Sequence, residues 1–252
     1  TEETATIYFM MPPINLEGKT IDVTVAMDGG DTKTYQTAGK NYIAGKAYAI
    51  SVTDNAEKPA YIMVDLGLPS GTLWADRNVG ADSPEDYGDY FAWGETSTKS
   101  TYNWSTYKYC NGSYNTLTKY CTKSSYGTVD NKTTLDLEDD AAYVNMGSAW
   151  RMPTRAELGE LLNNCTWTWT TQNGVNGYKV TGKNGNSIFL PAAGYRGGSG
   201  VVSVQYNGNY WSATENFRYN AYFFRFSSKG TLLRLPGPKV SLPSWTFQGP
   251  TV

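Results

Sequence analysis

The stretch Trp150-Arg-Met-Pro-Thr-Arg-Ala-Glu-Leu-Gly-Glu-Leu-Leu162 decides how this chain is organised, because it contains a strong helix-start signal followed by an apolar stripe. Thr154 and Glu157 have the spacing of a capping box, in which each side chain binds the backbone amide of the other residue. The apolar residues that follow recur at the spacing of one helix face: Leu158, Leu161, Leu162 and Cys165. The stretch therefore predicts a helix that begins after Thr154 and packs on a core.

Trp150 and Arg151, at the start of this stretch, have two interpretations. An indole and a guanidinium side by side could stack on a sugar or a peptide, which would make both residues ligand contacts. Alternatively, Trp150 belongs to the core and Arg151 pairs with a carboxylate such as Glu157 or Asp140. Because the pair abuts a helix start, we favour the core interpretation and keep both residues as candidate ligand contacts.

The composition excludes several classes of function. The 21 basic and 23 acidic residues nearly balance, and no basic stripe indicates a nucleic-acid partner. The absence of histidine removes the common Ser-His and Cys-His nucleophile systems and most zinc sites. The 20 Tyr, 8 Trp and 26 Gly are typical of extracellular β-rich proteins that bind carbohydrate or protein surfaces.

No apolar run is long enough to span a membrane, and no signal peptide is present. The chain starts at Thr1 without Met, which we interpret as a mature or trimmed form. Cys110 and Cys121 bracket a polar loop and could close it as a disulfide, which would stabilise the fold by about 3 kcal/mol. A reduced pair is the equal alternative. Cys165, on the apolar helix face, is predicted to be a buried free thiol.

Residues 1–53 predict β-hairpins, with strands at 6–11, 20–25 and 46–52 and a turn at 28–31. So few strands cannot form a stable sandwich alone. A polar segment at 54–60 predicts a linker, and residues 61–252 form the second domain.

The N-terminal segment resembles the C-terminal end of a fimbrillin-type pilin domain. The resemblance lies in Phe9-Met-Met-Pro-Pro13, in the alternating strand after Gly18-Lys19 and in Ala44-Gly-Lys-Ala-Tyr48. It implies part of an all-β sandwich that joins other pilin subunits by strands donated at open sheet edges.

Residues 61–252 predict two helices followed by antiparallel strands, which is an α+β layout. Two short strands flank a turn within 63–74, a first helix spans 134–146 with Asp136 as its cap, and the helix after Thr154 is the second. Between the strand pair and the first helix, residues 97–132 form a long polar loop of the kind that often carries function. The predicted later strands lie at 166–170, 178–181, 187–190, 201–206, 210–214, 221–227 and 231–235.

Several blocks carry a second resemblance, to the secreted major paralogous domain of gut and rumen bacterial surface proteins, over about 62–230. They are Val64–Trp74, Gly88–Thr96, Trp150–Thr154, Leu190–Arg196 and Tyr210–Thr214. The Trp150–Thr154 block also resembles a segment of formylglycine-generating-enzyme-like folds, which implies a C-type-lectin-like fold. Three features depart from these patterns: the tail is proline-rich from 235, the calcium-sugar signatures of animal lectins are absent, and no cysteine follows Cys165.

The two resemblances imply a non-enzymatic adhesin at the cell surface, on the outer membrane or in a fimbrium, at a pilus tip. Its expected partners are a glycan or a surface protein, together with other pilin subunits. One alternative is a structural surface module for protein contacts without a small ligand. Another is a glycan-active enzyme, which would need two convergent carboxylates.

The candidate ligand contacts are residues at predicted strand ends and turns, where an aromatic platform with a few polar groups would hold a glycan. They are Trp93, Glu95, Tyr195, Arg196, Trp211 and Tyr222, in addition to Trp150 and Arg151. No catalytic residue, cofactor or metal is predicted. A carboxylate group that could bind calcium, Asp136, Glu138, Asp139 and Asp140, lacks the spacing of a calcium loop and is better explained as an acidic helix start.

Overall fold

The computed structural model describes residues 3–9, 12–26, 32–44, 46–54, 60–238 and 249–250. The chain divides into two compact units, Thr1–Lys58 and Pro59–Val252. The predicted turn at 28–31, Met10 and Met11 of the first pilin-like motif, Gly45 of the last one and most of the predicted linker lie outside the described residues.

The first unit consists of three antiparallel strand pairs. These are β1 (Glu3–Phe9) with β6 (Tyr48–Asp54), β2 (Ile14–Asn15) with β5 (Asn41–Tyr42), and β3 (Thr20–Ala26) with β4 (Thr32–Ala38). In the described part of this unit each ladder has two strands, whereas the sequence predicts part of a sandwich. Exposed polar pairs cross the β3–β4 ladder, where the Thr24 and Thr34 hydroxyl oxygens lie 3.0 Å apart. A strand face that carries exposed polar side chains buries little apolar area.

The second unit is mostly β-structure, so the α+β prediction is wrong. Its described part contains two α-helices, α1 (Ala141–Met146) and α2 (Arg155–Asn164), of six and ten residues. Its strands are β7 (Met63–Asp65), β8 (Leu73–Ala75), β9 (Trp150–Arg151), β10 (Thr166–Gln172), β11 (Val175–Thr181), β12 (Ser187–Pro191), β13 (Tyr195–Gly197), β14 (Gly200–Val202), β15 (Asn207–Asn216), β16 (Asn220–Ser227), β17 (Gly230–Pro238) and β18 (Gly249–Pro250).

Two three-stranded antiparallel sheets form the framework of this unit, one in the order β10-β11-β12 and one in the order β15-β16-β17. Shorter antiparallel pairs accompany them: β7 with β8, β13 with β14, and β9 with β18. The predicted strand pair within 63–74 is confirmed. In the proline-rich tail, β17 continues to Pro238, and residues 239–248 lie outside the described part.

The first predicted helix, over 134–146, is wrong in extent and in its cap. Residues 137–139 form a single 3-10 turn, and α1 starts only after Asp140. The Asp140 carboxylate accepts hydrogen bonds from the Ala142 and Tyr143 amides at 2.9 and 3.1 Å, and from the Met152 amide at 2.8 Å. Because these bonds satisfy the first amides of the helix, Asp140 fixes its start, and Asp136 is not the cap.

Helix α2 and its cap are confirmed. Thr154 caps the helix, and both hydrogen bonds of the capping box with Glu157 are present. Leu158 and Leu161 are buried, and α2 packs against β15, β16 and β17. The apolar stripe of the sequence is therefore the contact between this helix and the second sheet.

The core of the unit is aromatic and lies in two main clusters. One surrounds Trp93, Trp150 and Trp211, and the other surrounds Trp74 and Phe226. The long polar loop adds buried side chains of its own to the first cluster: Tyr102, Tyr107, Tyr109, Leu117, Tyr120 and Cys121. The loop therefore holds its shape by tyrosine packing in place of regular hydrogen-bonded ladders. In the described residues no helix combines the length and the hydropathy needed to cross a membrane.

Gly194 sits where the chain turns into the β13–β14 hairpin, with φ of +73°. A Cβ atom at this position would lie 2.1 Å from the Val202 carbonyl oxygen and 2.6 Å from the Val204 amide nitrogen. Gly194→Ala is expected to lower the free energy of unfolding by about 2 kcal/mol, because the positive φ strains an alanine backbone and the Cβ atom would clash with the β14 segment. Thermal unfolding checks this value. Gly174→Ala is the control for positive φ alone, since nothing lies within 4 Å of that position, and equal losses at the two sites would contradict the steric argument.

Candidate ligand-binding cleft

A cleft of about 260 Å³ opens between the 89–102 segment and the β13–β14 hairpin. Two hydrogen bonds join its walls. The Tyr102 amide donates to the Gly198 carbonyl at 2.8 Å, and Arg196 Nη1 donates to the Lys99 carbonyl at 3.0 Å. The residues that line the cleft are Asp89, Tyr90, Thr98, Lys99, Tyr102, Arg196 and Val201.

Arg196 places a guanidinium in the wall of the cleft. Its Cζ lies 5.4 Å from the centroid of the Tyr102 ring and 6.0 Å from that of Tyr90, within cation–π range. A guanidinium has five N–H donors, and in the described part of the chain that of Arg196 forms a single hydrogen bond, to the Lys99 carbonyl. The side chain is thus held in place while most of its donors stay available to a ligand.

Lys99 brings a second positive charge, which the protein itself balances. Its Nζ lies 2.7 Å from a carboxylate oxygen of the buried Glu95 and 2.8 Å from the Thr106 carbonyl. Glu95 also accepts a hydrogen bond from the Lys108 amide at 2.8 Å. Glu95, a predicted ligand contact, therefore does not line the cleft, and its ion pair holds Lys99 in position.

Asp89 supplies an acceptor to the same cleft. Its amide donates to the Val79 carbonyl at 2.8 Å, which fixes the backbone. Its partly exposed carboxylate accepts no hydrogen bond from the residues that the structure describes. A carboxylate carries about four lone-pair sites, so Asp89 can accept from a bound hydroxyl or amide.

The phenols of the two cleft tyrosines are bonded to the protein. The Tyr90 hydroxyl donates to the Ala193 carbonyl at 2.9 Å, and the Tyr102 hydroxyl donates to the Tyr90 carbonyl. Burial, the largest effect, raises the pKa of both phenols, so both are neutral and hold their rings in fixed positions. The rings therefore shape the cleft while the charged groups supply its free hydrogen-bonding capacity.

The three tryptophans predicted as ligand contacts lie in the core. Trp93, Trp150 and Trp211 are 0%, 5% and 1% exposed. The Trp93 indole donates to the Ser212 carbonyl at 2.8 Å, and Trp150 packs edge-on against Tyr61. All three indoles are therefore core side chains, as the core interpretation predicts for Trp150.

The other predicted contacts are dispersed. Arg151 forms a bidentate pair with Glu157, at 2.8 and 2.5 Å, and the half-buried Tyr222 has the Arg155 guanidinium 4.5 Å from its ring centroid. Tyr195 precedes Arg196 in β13 and is partly buried. Of the eight candidates, Arg196 alone lines the cleft.

The sequence missed the remaining cleft residues, although two signals pointed near them. Asp89 and Tyr90 belong to the Gly88–Thr96 block that carries the second family resemblance. Thr98, Lys99 and Tyr102 begin the long polar loop over 97–132, which is of a kind that often carries function. Neither signal indicated that these residues would meet Arg196, which follows almost 100 positions later in the chain.

The carboxylate group considered for calcium encloses a lysine. Carboxylate oxygens of Asp136, Glu138 and Asp139 lie within 4.8 Å of one another, and Lys119 Nζ lies 2.6, 3.5 and 2.6 Å from them in turn. Burial would raise the pKa of Asp139, but hydrogen bonds from Lys119 and two tyrosines outweigh it and leave the pKa lowered. The lysine ammonium thus provides the positive charge that this group needs.

The three cysteines are free thiols, so the reduced alternative for Cys110 and Cys121 is the one in the structure. Cys110 Sγ lies 3.1 Å from the Trp104 carbonyl, and Cys121 Sγ lies 3.2 Å from the Lys123 carbonyl. Cys165 is partly buried, and burial raises the pKa of its thiol.

Comparisons with protein-family models, with curated proteins and with solved structures found no match to this chain.

Proposed function

We propose that the Pro59–Val252 unit binds a carbohydrate in the cleft, as the ligand-binding part of a non-enzymatic cell-surface adhesin. The observation that carries this proposal is that one cleft combines the Asp89 carboxylate, which no described residue pairs with, and the Arg196 guanidinium, which makes a single hydrogen bond to the described residues. Sugar hydroxyls both donate and accept hydrogen bonds, so a single sugar ring can satisfy both groups. The apolar wall at Val201 suits the C–H face of the same ring.

The size of the cleft favours one sugar residue or the end of a chain. Its volume of about 260 Å³ lies just below the roughly 300–1,000 Å³ that is usual for drug-sized ligands. A longer glycan would extend from the cleft into solvent, as expected of a receptor for exposed chain ends.

The charges in the cleft support binding over catalysis. Glycoside hydrolysis needs two carboxyl groups on opposite sides of the scissile bond. Among the residues that line the cleft, Asp89 is the one that bears a carboxylate, and the nearby Glu95 is engaged by Lys99. The arrangement therefore provides hydrogen-bonding groups without an acid–base pair.

The first unit supports the attachment of this binding unit to other subunits. Each of its seven-residue strands, β1, β3, β4 and β6, is paired along one edge only in the described part. An open edge accepts an extended strand from another chain. Together with the resemblance to a pilin segment, this feature supports our proposal that the protein belongs to a fimbrium at the bacterial surface, with other pilin subunits as partners.

The test is a glycan array with the whole chain, followed by calorimetry on the best monosaccharide or disaccharide. Asp89→Asn is expected to weaken binding by roughly 10-fold or more, because hydrogen bonds to a charged group contribute about 1.5–3 kcal/mol. Its thermal unfolding should be unchanged, since no described residue uses this carboxylate. Glu138→Gln, which changes a carboxylate that is 79% exposed, is the control. Absence of binding on the array, or full affinity of Asp89→Asn, would overturn the proposal.

A further inference from the structure

A second group of side chains lies at the turn between β15 and β16, where Tyr114, Phe217 and Arg218 are exposed and Tyr126 and Tyr219 are partly buried. The group contains Tyr114 and Tyr126 from the long loop and Phe217, Arg218 and Tyr219 from the turn, and we call it the tyrosine–arginine cluster. The ring centroid of Tyr219 lies 5.1 Å from that of Tyr114 and 5.5 Å from that of Tyr126. Arg218 Cζ lies 5.3 Å from the Phe217 ring centroid and 6.0 Å from that of Tyr126. Three phenols and a guanidinium thus converge on one patch.

The polar side-chain groups of this cluster form no hydrogen bond or ion pair with the described part of the protein. Arg218 is exposed and forms no ion pair or hydrogen bond with any described residue, and its contacts are aromatic faces. The hydroxyls of Tyr114, Tyr126 and Tyr219 likewise form no hydrogen bond with described residues. Tyr114 is 46% exposed and Phe217 53% exposed. The cluster therefore offers donors, acceptors and apolar area together at the surface.

The backbone under the cluster is in a conformation that its residues disfavour. Phe217 has φ of +28° and Arg218 has φ of +77°. Tight hairpins with positive φ are normally made by Asn-Gly or Asp-Gly, which adopt it without steric cost. A bulky aromatic residue followed by arginine is a poor choice for the stability of this turn. Strain of this kind accumulates where the side chains serve a purpose other than folding.

We infer that the tyrosine–arginine cluster is a second carbohydrate site, which binds an acidic sugar residue such as a uronic or nonulosonic acid. The Arg218 fork matches the geometry of a carboxylate, and the phenols can exchange hydrogen bonds with ring hydroxyls while their faces pack on C–H groups. The three phenol hydroxyls that no described residue engages favour a polyhydroxylated ligand, because each of them can both donate and accept a hydrogen bond.

The decisive variant replaces Phe217 and Arg218 together by Asn and Gly. Removal of the strain is expected to raise the melting temperature by about 2–4 °C, while binding of N-acetylneuraminic acid and of glucuronic acid, measured by calorimetry or saturation-transfer NMR, is lost. The variant therefore separates loss of the site from loss of the fold. Retention of acidic-sugar binding in this more stable protein would overturn the inference.

Single variants test whether the charge of Arg218 is the one that binds the acidic sugar. Arg218→Gln is expected to weaken binding of both acidic sugars at least about 10-fold, whereas Arg225→Gln, at an exposed arginine of β16, should bind as the parent does. All these variants are compared in an Asp89→Asn background, in which binding at the cleft is weakened, so that this test stays separate from that of the cleft. Equal affinity of the parent for glucose and glucuronic acid, or equal competition by a short poly-glutamate peptide, would refute the acidic-sugar assignment.

Discussion

Replacement of Trp93 by alanine is expected to lower the free energy of unfolding of the second unit by about 4 kcal/mol. The indole is fully buried, donates to the Ser212 carbonyl at 2.8 Å and packs edge-on against Tyr120 with 5.0 Å between ring centroids. Alanine would leave a large cavity and an unsatisfied carbonyl. In a unit of this size the melting temperature should fall by about 10 °C.

Two further variants make the Trp93 prediction specific. Trp93→Phe keeps much of the buried area but loses the hydrogen bond, so it should cost roughly half as much. Tyr206→Ala, at a side chain that is 73% exposed, should change the stability by less than about 0.5 kcal/mol. A Trp93→Ala protein with the parent melting temperature and reduced glycan affinity would instead make Trp93 the ligand contact that its sequence position predicts.

Glu157→Ala is expected to cost about 3 kcal/mol, since one carboxylate holds both the helix start and the preceding strand. It accepts two hydrogen bonds from Arg151 and one from the Thr154 amide at 2.7 Å. The Arg151 and Glu157 side chains are 23% and 15% exposed, so alanine would leave a partly buried guanidinium without its partner. The loss of the cap adds to this cost. Urea unfolding, which gives the free energy directly, is the measurement.

The Arg151–Glu157 pair also predicts a pH dependence of stability. Burial would raise the pKa of Glu157, but the hydrogen bonds from Arg151 and Thr154 outweigh it and leave the pKa below its ordinary value of 4.5. A carboxyl group whose pKa is lowered by folding stabilises the protein above the unfolded pKa, and this stability is lost as the pH falls below it. The stability difference between the parent and Glu157→Gln should therefore be full at pH 7 and shrink from roughly pH 5 downward. A difference that stays constant down to pH 3 would contradict the pair's role.

Local signals in the sequence predicted those elements whose hydrogen bonds are made within a few residues. The capping box of α2 joins Thr154 and Glu157, three positions apart, and the β7–β8 pair closes over a short turn. The α1 region failed for the opposite reason. Asp140 binds the amide of Met152, twelve positions away, and this contact helps to fix a helix start that the local pattern had placed at Asp136. Because α1 has six residues and α2 ten, beside the strands β7 to β18, the second unit is mostly β and the α+β prediction is wrong.

The sequence by itself determined the aromatic, histidine-free chemistry of this protein, the cap and apolar face of α2, and the strand-and-turn character of most of the rest, since each depends on composition or on neighbours along the chain. Only the tertiary structure decided which aromatic residues are buried and which polar groups meet. Trp93 and Trp211 fill the core, whereas Asp89 and Arg196, 107 positions apart in the sequence, line one cleft. The physical reason is that burial and the pairing of charges depend on distances across the fold, which a pattern of neighbouring residues does not contain.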